Sequence, residues 1–212
     1  MIDKWLEKSK LKDIITKFAE KFLLEKISAN KLTLIGLILG ILCAFFIFLS
    51  GLLAQQLLLF IIIAAILMTL SFFFDVLDGA VARLEKPSLF GGILDIFCDR
   101  TVEILIIIAL VSTDPANLLW PGLFSLGAII LCITIFLASG SAIRLKTSQN
   151  SQKVIYYARG VMERGETYLF LFLITILVVF RAILFYVFAI LIVITTLQRL
   201  TEAYHKLYSK NE

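Results

Sequence analysis

Acidic residues interrupt two long apolar stretches of the sequence at helical spacing. Asp75 and Asp78 are three residues apart and Asp95 and Asp99 are four apart, so each pair falls on one face of a helix. Acidic groups inside apolar segments are costly and indicate function. Four carboxylates so close together favour hard divalent cations, and Mg²⁺ is typically held by carboxylates and a substrate phosphate. The spacing therefore predicts a metal site for phosphoryl chemistry, in which paired ions are common.

Small and basic residues lie beside these carboxylates. Gly79 follows the first pair directly, Ala82 lies one turn after its second member, and Gly91 precedes the second pair. Small side chains let a ligand or a second backbone approach a helix face closely. Arg83 can neutralise a phosphate that the metals also hold. The pattern predicts a groove for a diphosphate-bearing ligand. The alternative from the residues alone is a structural or ion-conducting polar cluster.

The helices that carry these residues are predicted to lie in a membrane. Of the 212 residues, 60% are hydrophobic and 17% are charged, with a mean hydropathy of +0.99. A soluble domain is about 45–50% apolar, so both a soluble and a disordered chain are excluded. The fold class is an all-α integral membrane protein with six transmembrane helices, preceded by an amphipathic juxtamembrane helix. The six apolar runs are at about 32–54, 57–82, 89–112, 118–143, 165–180 and 183–199, each near the roughly 20 residues that span a bilayer.

The stretch before the first run predicts an amphipathic helix. Leu11, Ile14, Ile15, Phe18 and Phe22 recur at helical spacing and lysines fill the other side, which is typical of a helix on the membrane surface. The alternative is a helix packed on the bundle with its lysines in water. The predicted domains are a surface helix over 1–30, a six-helix catalytic domain over 31–200 and a cytoplasmic tail over 201–212.

The basic residues predict the orientation. All but two of the 20 lysines and arginines fall on one side of the six-span arrangement, and such residues concentrate in the cytoplasm. The exceptions are Arg100 and Arg181, the second of which marks the bend of the last helical hairpin. We expect a multi-pass protein of the inner or plasma membrane, with both termini and the active site in the cytoplasm. The basic balance fits anionic lipid and not nucleic acid.

The acidic segment as a whole resembles a family signature. Its pattern is D-x2-D-G-x2-A-R-x7-G-x3-D-x3-D, running from Asp75 to Asp99, and it is similar to that of the CDP-alcohol phosphatidyltransferases. The resemblance implies an enzyme of phospholipid biosynthesis that displaces CMP from a CDP-linked lipid, such as CDP-diacylglycerol, with the hydroxyl of a small polar alcohol. It implies two Mg²⁺ or Mn²⁺ ions per site, and a homodimer, since members of the family often form dimers.

The resemblance also implies roles for individual residues. Asp99 would be the catalytic base as well as a ligand, and the CDP moiety would be held from two directions. Because Ser28 and Asn30 are equally good helix caps, their role in binding stays open. The metal ligands would be Asp75, Asp78, Asp95 and Asp99, and the CDP-lipid contacts would be Ser28, Ala29, Asn30, Lys31, Gly79, Ala82, Arg83 and Ser88.

The acceptor alcohol is indicated by two further stretches. The segment LDIFCDR lacks the D-P-x-A-D-K of members that use glycerol 3-phosphate, and residues 160–166 resemble the G-x-x-E-R-x-E of inositol-phosphate synthases. The acceptor site would then include Arg144, Arg159 and Arg164. Ala142 and Thr167 replace basic residues of the family's phosphate-binding cluster, and the arginines also fit the cytoplasmic charge bias alone. Inositol or inositol phosphate is therefore the expected acceptor, with glycerol 3-phosphate the alternative.

Two expectations stay open at this point. Intramembrane carboxylates also occur in divalent-cation and proton-coupled transporters, a different class of function. Gly36 and Gly40 form a G-x-x-x-G motif that serves equally for packing within the chain and for dimerisation.

Overall fold

The computed structural model describes residues 10–24, 26–85, 88–147 and 160–208. Every element of secondary structure in these ranges is helical, as predicted. The seven α-helices are α1 (Lys10–Phe22), α2 (Ala29–Leu52), α3 (Leu57–Leu84), α4 (Leu89–Thr113), α5 (Pro115–Thr147), α6 (Arg164–Ile176) and α7 (Arg181–Tyr208), with short 3₁₀ helices at Ala54–Gln56 and Val178–Phe180.

Four of the described helical segments are long and apolar enough to cross a membrane, so the chain is a multi-pass membrane protein. They are Ala29–Leu52, Leu57–Leu84, Pro115–Ile143 and Val178–Tyr208. Helix α4 has 25 residues but carries the second acidic pair, and α6 has only 13 residues. The predicted apolar runs thus correspond to helices, with most ends within a few residues of the prediction and the end of α7 nine residues beyond it.

The small residues of α2 hold it against α3 and α4. A Cβ at Gly36 would lie 3.5 Å from the Ser71 carbonyl oxygen, and one at Gly40 would lie 2.4 Å from the Val102 Cγ2 atom. The Ser71 hydroxyl donates to the Gly36 carbonyl at 2.8 Å. The G-x-x-x-G motif is therefore used for packing within the chain, which decides between its two interpretations.

Helix α1 packs on the bundle and keeps part of its apolar surface exposed. Ala19 is fully buried in a cluster with Leu77, Ala80 and Val81 of α3, so the helix does pack on the bundle. Ile14, Phe18 and Phe22 remain exposed, four residues apart along one stripe. Contact with α3 therefore uses only part of the apolar surface of α1.

The predicted bend at Arg181 is present, and the arginine stabilises it. Helix α6 ends at Ile176 and α7 begins at Arg181. The Arg181 guanidinium donates to the Ile174 and Thr175 carbonyls, each at 3.1 Å, and to the Thr113 hydroxyl at 2.9 Å. The last carbonyls of a helix lack partners within it, so this buried charge satisfies backbone groups that the bend would otherwise leave unpaired.

Candidate active site

The acidic side chains of α3 and α4 converge because both helices pack against α2. The Ser88 side chain accepts a hydrogen bond from the Gly91 N–H at 2.9 Å and caps α4, as serine commonly does. One carboxylate oxygen from each of Asp75, Asp95 and Asp99 lies within 4.8 Å of the others. Asp75 and Asp99 are buried, and Asp95 is half-buried. Three of the four aspartates therefore form one cluster.

Asp78 lies apart from this cluster and faces α2. Its side chain is 4% exposed and lies beside the Thr33 hydroxyl. Its Oδ2 atom is buried without a hydrogen-bond partner in the described ranges. Asp78 shares with the cluster a small cavity between the helices, which is lined among others by Thr33, Ser71, Asp75, Asp78, Asp99 and Tyr168.

Arg164, the first residue of α6, contacts all three clustered carboxylates. Its Nη2 atom donates to Oδ1 of Asp95 at 3.1 Å and to Oδ1 of both Asp75 and Asp99. The sequence assigned Arg164 to the acceptor, on the same side of the membrane as the aspartates. It did not foresee the contact with the aspartates, which joins residues far apart in the chain.

Tyr168 was not identified as a site residue from the sequence. It is 6% exposed, lines the cavity beside Asp99 and packs its ring 4.9 Å from that of Phe72. Its position one turn after Arg164 puts both side chains on one face of α6. That spacing is the signal that could have found it.

The clustered residues fit a divalent metal. Carboxylate oxygens are the hard donors that Mg²⁺ and similar ions take, and three of them converge here. The guanidinium of Arg164 touches the same oxygens, so a cation at this point and that arginine contact are alternatives. The contact of Arg164 with all three carboxylates shows that the cluster attracts positive charge.

The residues expected to hold the nucleotide lie at the adjoining helix ends. Ser28 is the N-cap of α2, but its side chain makes no capping hydrogen bond. Helix capping therefore does not explain the serine at this position. Ala29, Asn30 and Lys31 form the first turn of α2. A Cβ at Gly91 would lie 3.1 Å from the Asn30 Oδ1 atom, so the start of α2 adjoins the start of α4.

Gly79 and Gly92 leave open space beside these helix ends. A Cβ at Gly79 would approach only the Arg83 Nη1 atom, at 3.5 Å, and one at Gly92 would meet nothing within 4 Å among the described residues. Ala82 is half-buried and Arg83 is exposed. These glycines are not required by packing, in contrast to Gly40, and they keep the surface shallow as the sequence predicts.

The expected acceptor residues are only partly described. Arg159 and the side chain of Arg144 lie outside the described residues, so their assignment stays a prediction. The Thr167 hydroxyl, at a position where the family carries a basic residue, donates to the Glu163 carbonyl at 3.1 Å. Arg164 is the acceptor candidate whose surroundings are described.

A second ion pair lies one turn beyond the cluster. Glu103 is fully buried, and Arg100 contacts its carboxylate at 2.5 Å. Arg100, one of the two exceptions to the charge asymmetry of the sequence, therefore pairs with a carboxylate on its own helix.

A helical membrane bundle with carboxylates converging from two helices is an arrangement that a metal-dependent phosphotransferase can use. The family model of the CDP-alcohol phosphatidyltransferases matches residues 26–198, and the chain belongs to this family. It is therefore a metal-dependent transferase of phospholipid biosynthesis, which passes the phosphatidyl group of a CDP-linked lipid to an alcohol and releases CMP. The transporter alternative does not hold.

Similar proteins share both sequence and fold with this chain. The archaetidylinositol phosphate synthase of Pyrococcus horikoshii is 30% identical over 184 residues, which cover 85% of this chain and 86% of the relative. The phosphatidylinositol phosphate synthase of Mycobacterium tuberculosis with CDP-DAG bound has a TM-score of 0.69 at 20% identity, covering 94% of this chain and 98% of that one. The same enzyme in complex with manganese and citrate has a TM-score of 0.69 at 19% identity, covering 93% and 92%. At these identities the solved structures establish the fold.

Proposed function

We propose that the acceptor alcohol is an inositol phosphate, so that the product is a phosphatidylinositol-phosphate-type lipid. The observation that carries the proposal is the position of Arg164, a cation placed beside the reacting carboxylates by the stretch at residues 160–166. An arginine there can bind a phosphate on the incoming alcohol. The names of the similar synthases support the same acceptor.

Two divalent ions, Mg²⁺ or Mn²⁺, are proposed to bind between α3 and α4. Asp75, Asp95 and Asp99 supply three converging oxygens, and Asp78 adds a buried oxygen that has no described partner. Bound ions supply charge neutralisation on the diphosphate during transfer. The solved relative in complex with manganese supports a metal of this kind.

The protein side chains hold the substrates and move one proton. Residues 28–31, Gly79, Ala82, Arg83 and Ser88 are proposed to contact the CDP moiety, because they surround the open surface at the starts of α2 and α4. Asp99 accepts the proton of the alcohol hydroxyl. The hydroxyl oxygen then bonds to the lipid-linked phosphorus, and the bond from that phosphorus to the CMP oxygen breaks. The proton stays on Asp99 until it passes to water.

Arg144 and Arg159 are proposed to complete the acceptor site with Arg164. Ala142 is half-buried and Thr167 is engaged with its own helix, so neither supplies the positive charge of the family cluster. The three arginines are then proposed to hold the acceptor phosphate together.

We propose that α4 and α6 also cross the membrane, which gives six spans with both termini and the active site in the cytoplasm. The N-terminal surface region is then residues 1–30, which contain α1, the catalytic domain is 31–200 and the tail is 201–212. The basic residues support this orientation, and the exposed stripe of α1 supports contact with lipid. A homodimer is proposed on the family resemblance alone.

A CMP-release assay tests the acceptor. Purified protein would receive CDP-diacylglycerol, Mg²⁺ or Mn²⁺ and one alcohol at a time: inositol 1-phosphate, inositol or glycerol 3-phosphate. We expect inositol 1-phosphate to give the highest kcat/KM, and a mixture without alcohol provides the background. Faster turnover with glycerol 3-phosphate would overturn the acceptor assignment while leaving the reaction class intact.

Cysteine labelling tests the topology. Single cysteines introduced at Ser148 and at Asn117 in a background without native cysteines should react with a membrane-impermeant reagent from opposite sides of the membrane. Labelling of both from one side would reject the six-span arrangement.

A further inference from the structure

Two backbone N–H groups of the segment directly before α6 donate hydrogen bonds to side chains of α7. The Met162 N–H donates to the Thr195 hydroxyl oxygen at 2.9 Å, and the Val161 N–H donates to the Gln198 Oε1 atom at 3.1 Å. Thr195 is fully buried and Met162 is 5% exposed. The bond between them is therefore shielded from water, where an unpaired N–H is most costly.

The Thr195 side chain is fully used in this contact. Its hydroxyl donates its hydrogen to the Leu191 carbonyl at 2.9 Å and accepts from Met162 with a lone pair. Its methyl packs against Gly160, where an added Cβ would lie 2.1 Å from Cγ2 and 3.3 Å from Cβ of Thr195. Glycine is therefore required at 160 by the threonine methyl. We call Gly160, Met162, Thr195 and Gln198 the clasp.

The clasp ends two residues before the arginine that touches the aspartates. Arg164 opens α6, and the backbone N–H groups of Val161 and Met162 just before it are held by side chains of α7. The later part of α6 has its own anchors, in the Tyr168–Phe72 ring contact and the Arg181 bonds to the final carbonyls. Loss of the clasp should therefore shift the first turn and leave the helix in place.

We propose that Thr195 and Gly160 are positioning residues for phosphatidyl transfer, which hold the first turn of α6 so that Arg164 lies beside the carboxylate cluster, where the acceptor phosphate is proposed to bind. Neither residue touches the cluster, and both act through the arginine. Small displacements of a positioned group can reduce a rate by about 100-fold, so the rate is expected to be sensitive to this remote contact.

Matched valine substitutions in full-length protein test the hydrogen bond. Thr195→Val keeps the side-chain shape and removes the acceptor of the Met162 N–H. Thr196→Val is the control, because the Thr196 hydroxyl makes the same bond to its i−4 carbonyl, at 2.9 Å, and this bond stays within α7. We expect Thr195→Val to lower kcat/KM for the alcohol about 10- to 100-fold, and Thr196→Val to lower it less than about twofold. Equal effects of the two variants would overturn the proposal.

The kinetic pattern separates positioning from general damage. With saturating divalent ion, the Thr195→Val loss should appear against the alcohol, while KM for CDP-diacylglycerol stays within about twofold, since the CDP surface lies on other helices. This split rests on the proposed acceptor role of Arg164, and the assay uses whichever alcohol is fastest with the unaltered protein, so a wrong acceptor identity would not affect it. Parallel losses against both substrates would mark Thr195 as a structural residue only.

A rescue experiment tests the steric half of the clasp. Gly160→Ala should lower the rate about 10-fold or more, because the new methyl must displace the segment or Thr195. Thr195→Ser removes the obstructing Cγ2 and keeps the hydroxyl, so alone it should stay near the unaltered rate. The Gly160→Ala/Thr195→Ser pair should recover most of the activity at a temperature where all the variants are folded. Persistence of the Gly160→Ala defect in the pair would show that the contact does not position the site.

Discussion

The two ends of α6 each meet an arginine, and the two arginines have opposite kinds of partner. Arg181 lies after the last turn and bonds to backbone carbonyls and the Thr113 hydroxyl. Arg164 begins the first turn and bonds to carboxylates from two other helices. The partners of Arg181 are groups that any helix end exposes. The partners of Arg164 exist only because acidic side chains were placed inside a membrane bundle at considerable cost.

The glycines divide in the same way. Gly40 lies where α2 packs against Val102, and a side chain there has no room. Gly79, next to the acidic cluster, has open space above it apart from the tip of Arg83. Arg181 and Gly40 thus complete the packing of the bundle. The region around Arg164 and Gly79 instead keeps charged groups and open space that packing does not need. Charge and open space that packing does not require indicate a binding site.

Removal of divalent ions should produce the largest difference between the two regions. If the clustered carboxylates serve to bind metal, excess EDTA should abolish CMP release, and added Mg²⁺ or Mn²⁺ should restore it. The packing around Arg181 does not depend on metal, so the helical circular dichroism signal should persist in EDTA. Full activity in EDTA would contradict the metal role, and loss of helix would make the cluster a folding element.

Substitution of Asp99 should produce the next largest effect. Asp99→Asn keeps the side-chain shape and a neutral oxygen but cannot accept a proton from the alcohol, so kcat should fall by about 10²–10⁴-fold. Asp75→Asn and Asp78→Asn are the comparison, because they should weaken metal and CDP-lipid binding together. Turnover and nucleotide binding would be measured for each variant. A near-normal kcat for Asp99→Asn would assign the base to another group.

Local spacing accounts for what the sequence could predict about the fold and the site. The apolar runs located the helices to within a few residues except at the end of α7, which lies nine residues beyond its run. The i, i+3 and i, i+4 spacings placed the acidic faces on α3 and α4. The spacing did not predict the separation of Asp78. Positions three residues apart differ by about 60° around a helix, enough for Asp75 to face α4 while Asp78 faces Thr33 of α2.

Tertiary contacts account for what the sequence could not predict. The cytoplasmic charge bias placed Arg164 on the same side as the aspartates but did not select it from the other basic residues there. Its contact with Asp75 depends on how α6 docks against α3, which no local pattern encodes. The Gly36 and Gly40 motif was ambiguous for the same reason, because the spacing is identical for packing within a chain and between chains.

Glutamine substitutions at the two arginines should separate activity from stability. Arg164→Gln should lower kcat/KM for the alcohol by about 10- to 100-fold through the loss of a positioned charge, with little change in thermal stability when metal is present. Arg181→Gln should instead destabilise the protein by about 1–3 kcal/mol, because buried carbonyls lose their donors. Melting temperatures in detergent and CMP-release rates would be compared for both. An activity loss confined to Arg181→Gln would reverse the assignment.

Alanine at the two kinds of glycine should produce the smallest effects and the sharpest contrast. Gly40→Ala places a methyl 2.4 Å from Val102 Cγ2, and such overpacking typically costs about 1–3 kcal/mol of stability. Gly79→Ala meets only the movable end of Arg83 at 3.5 Å, so its melting temperature should be unchanged.

The methyl group added by Gly79→Ala should nevertheless project onto the surface where the CDP moiety is proposed to lie. A loss of about 1 kcal/mol of binding free energy corresponds to roughly a fivefold higher KM for CDP-diacylglycerol. Gly127→Ala on α5 is the control, because an added Cβ there also meets nothing within 4 Å among the described residues and none of the site residues lies on that part of the helix. If Gly79→Ala and Gly127→Ala gave the same KM, the open surface beside Gly79 would not be the nucleotide site, and the CDP moiety would have to bind along the Ser28–Lys31 side alone.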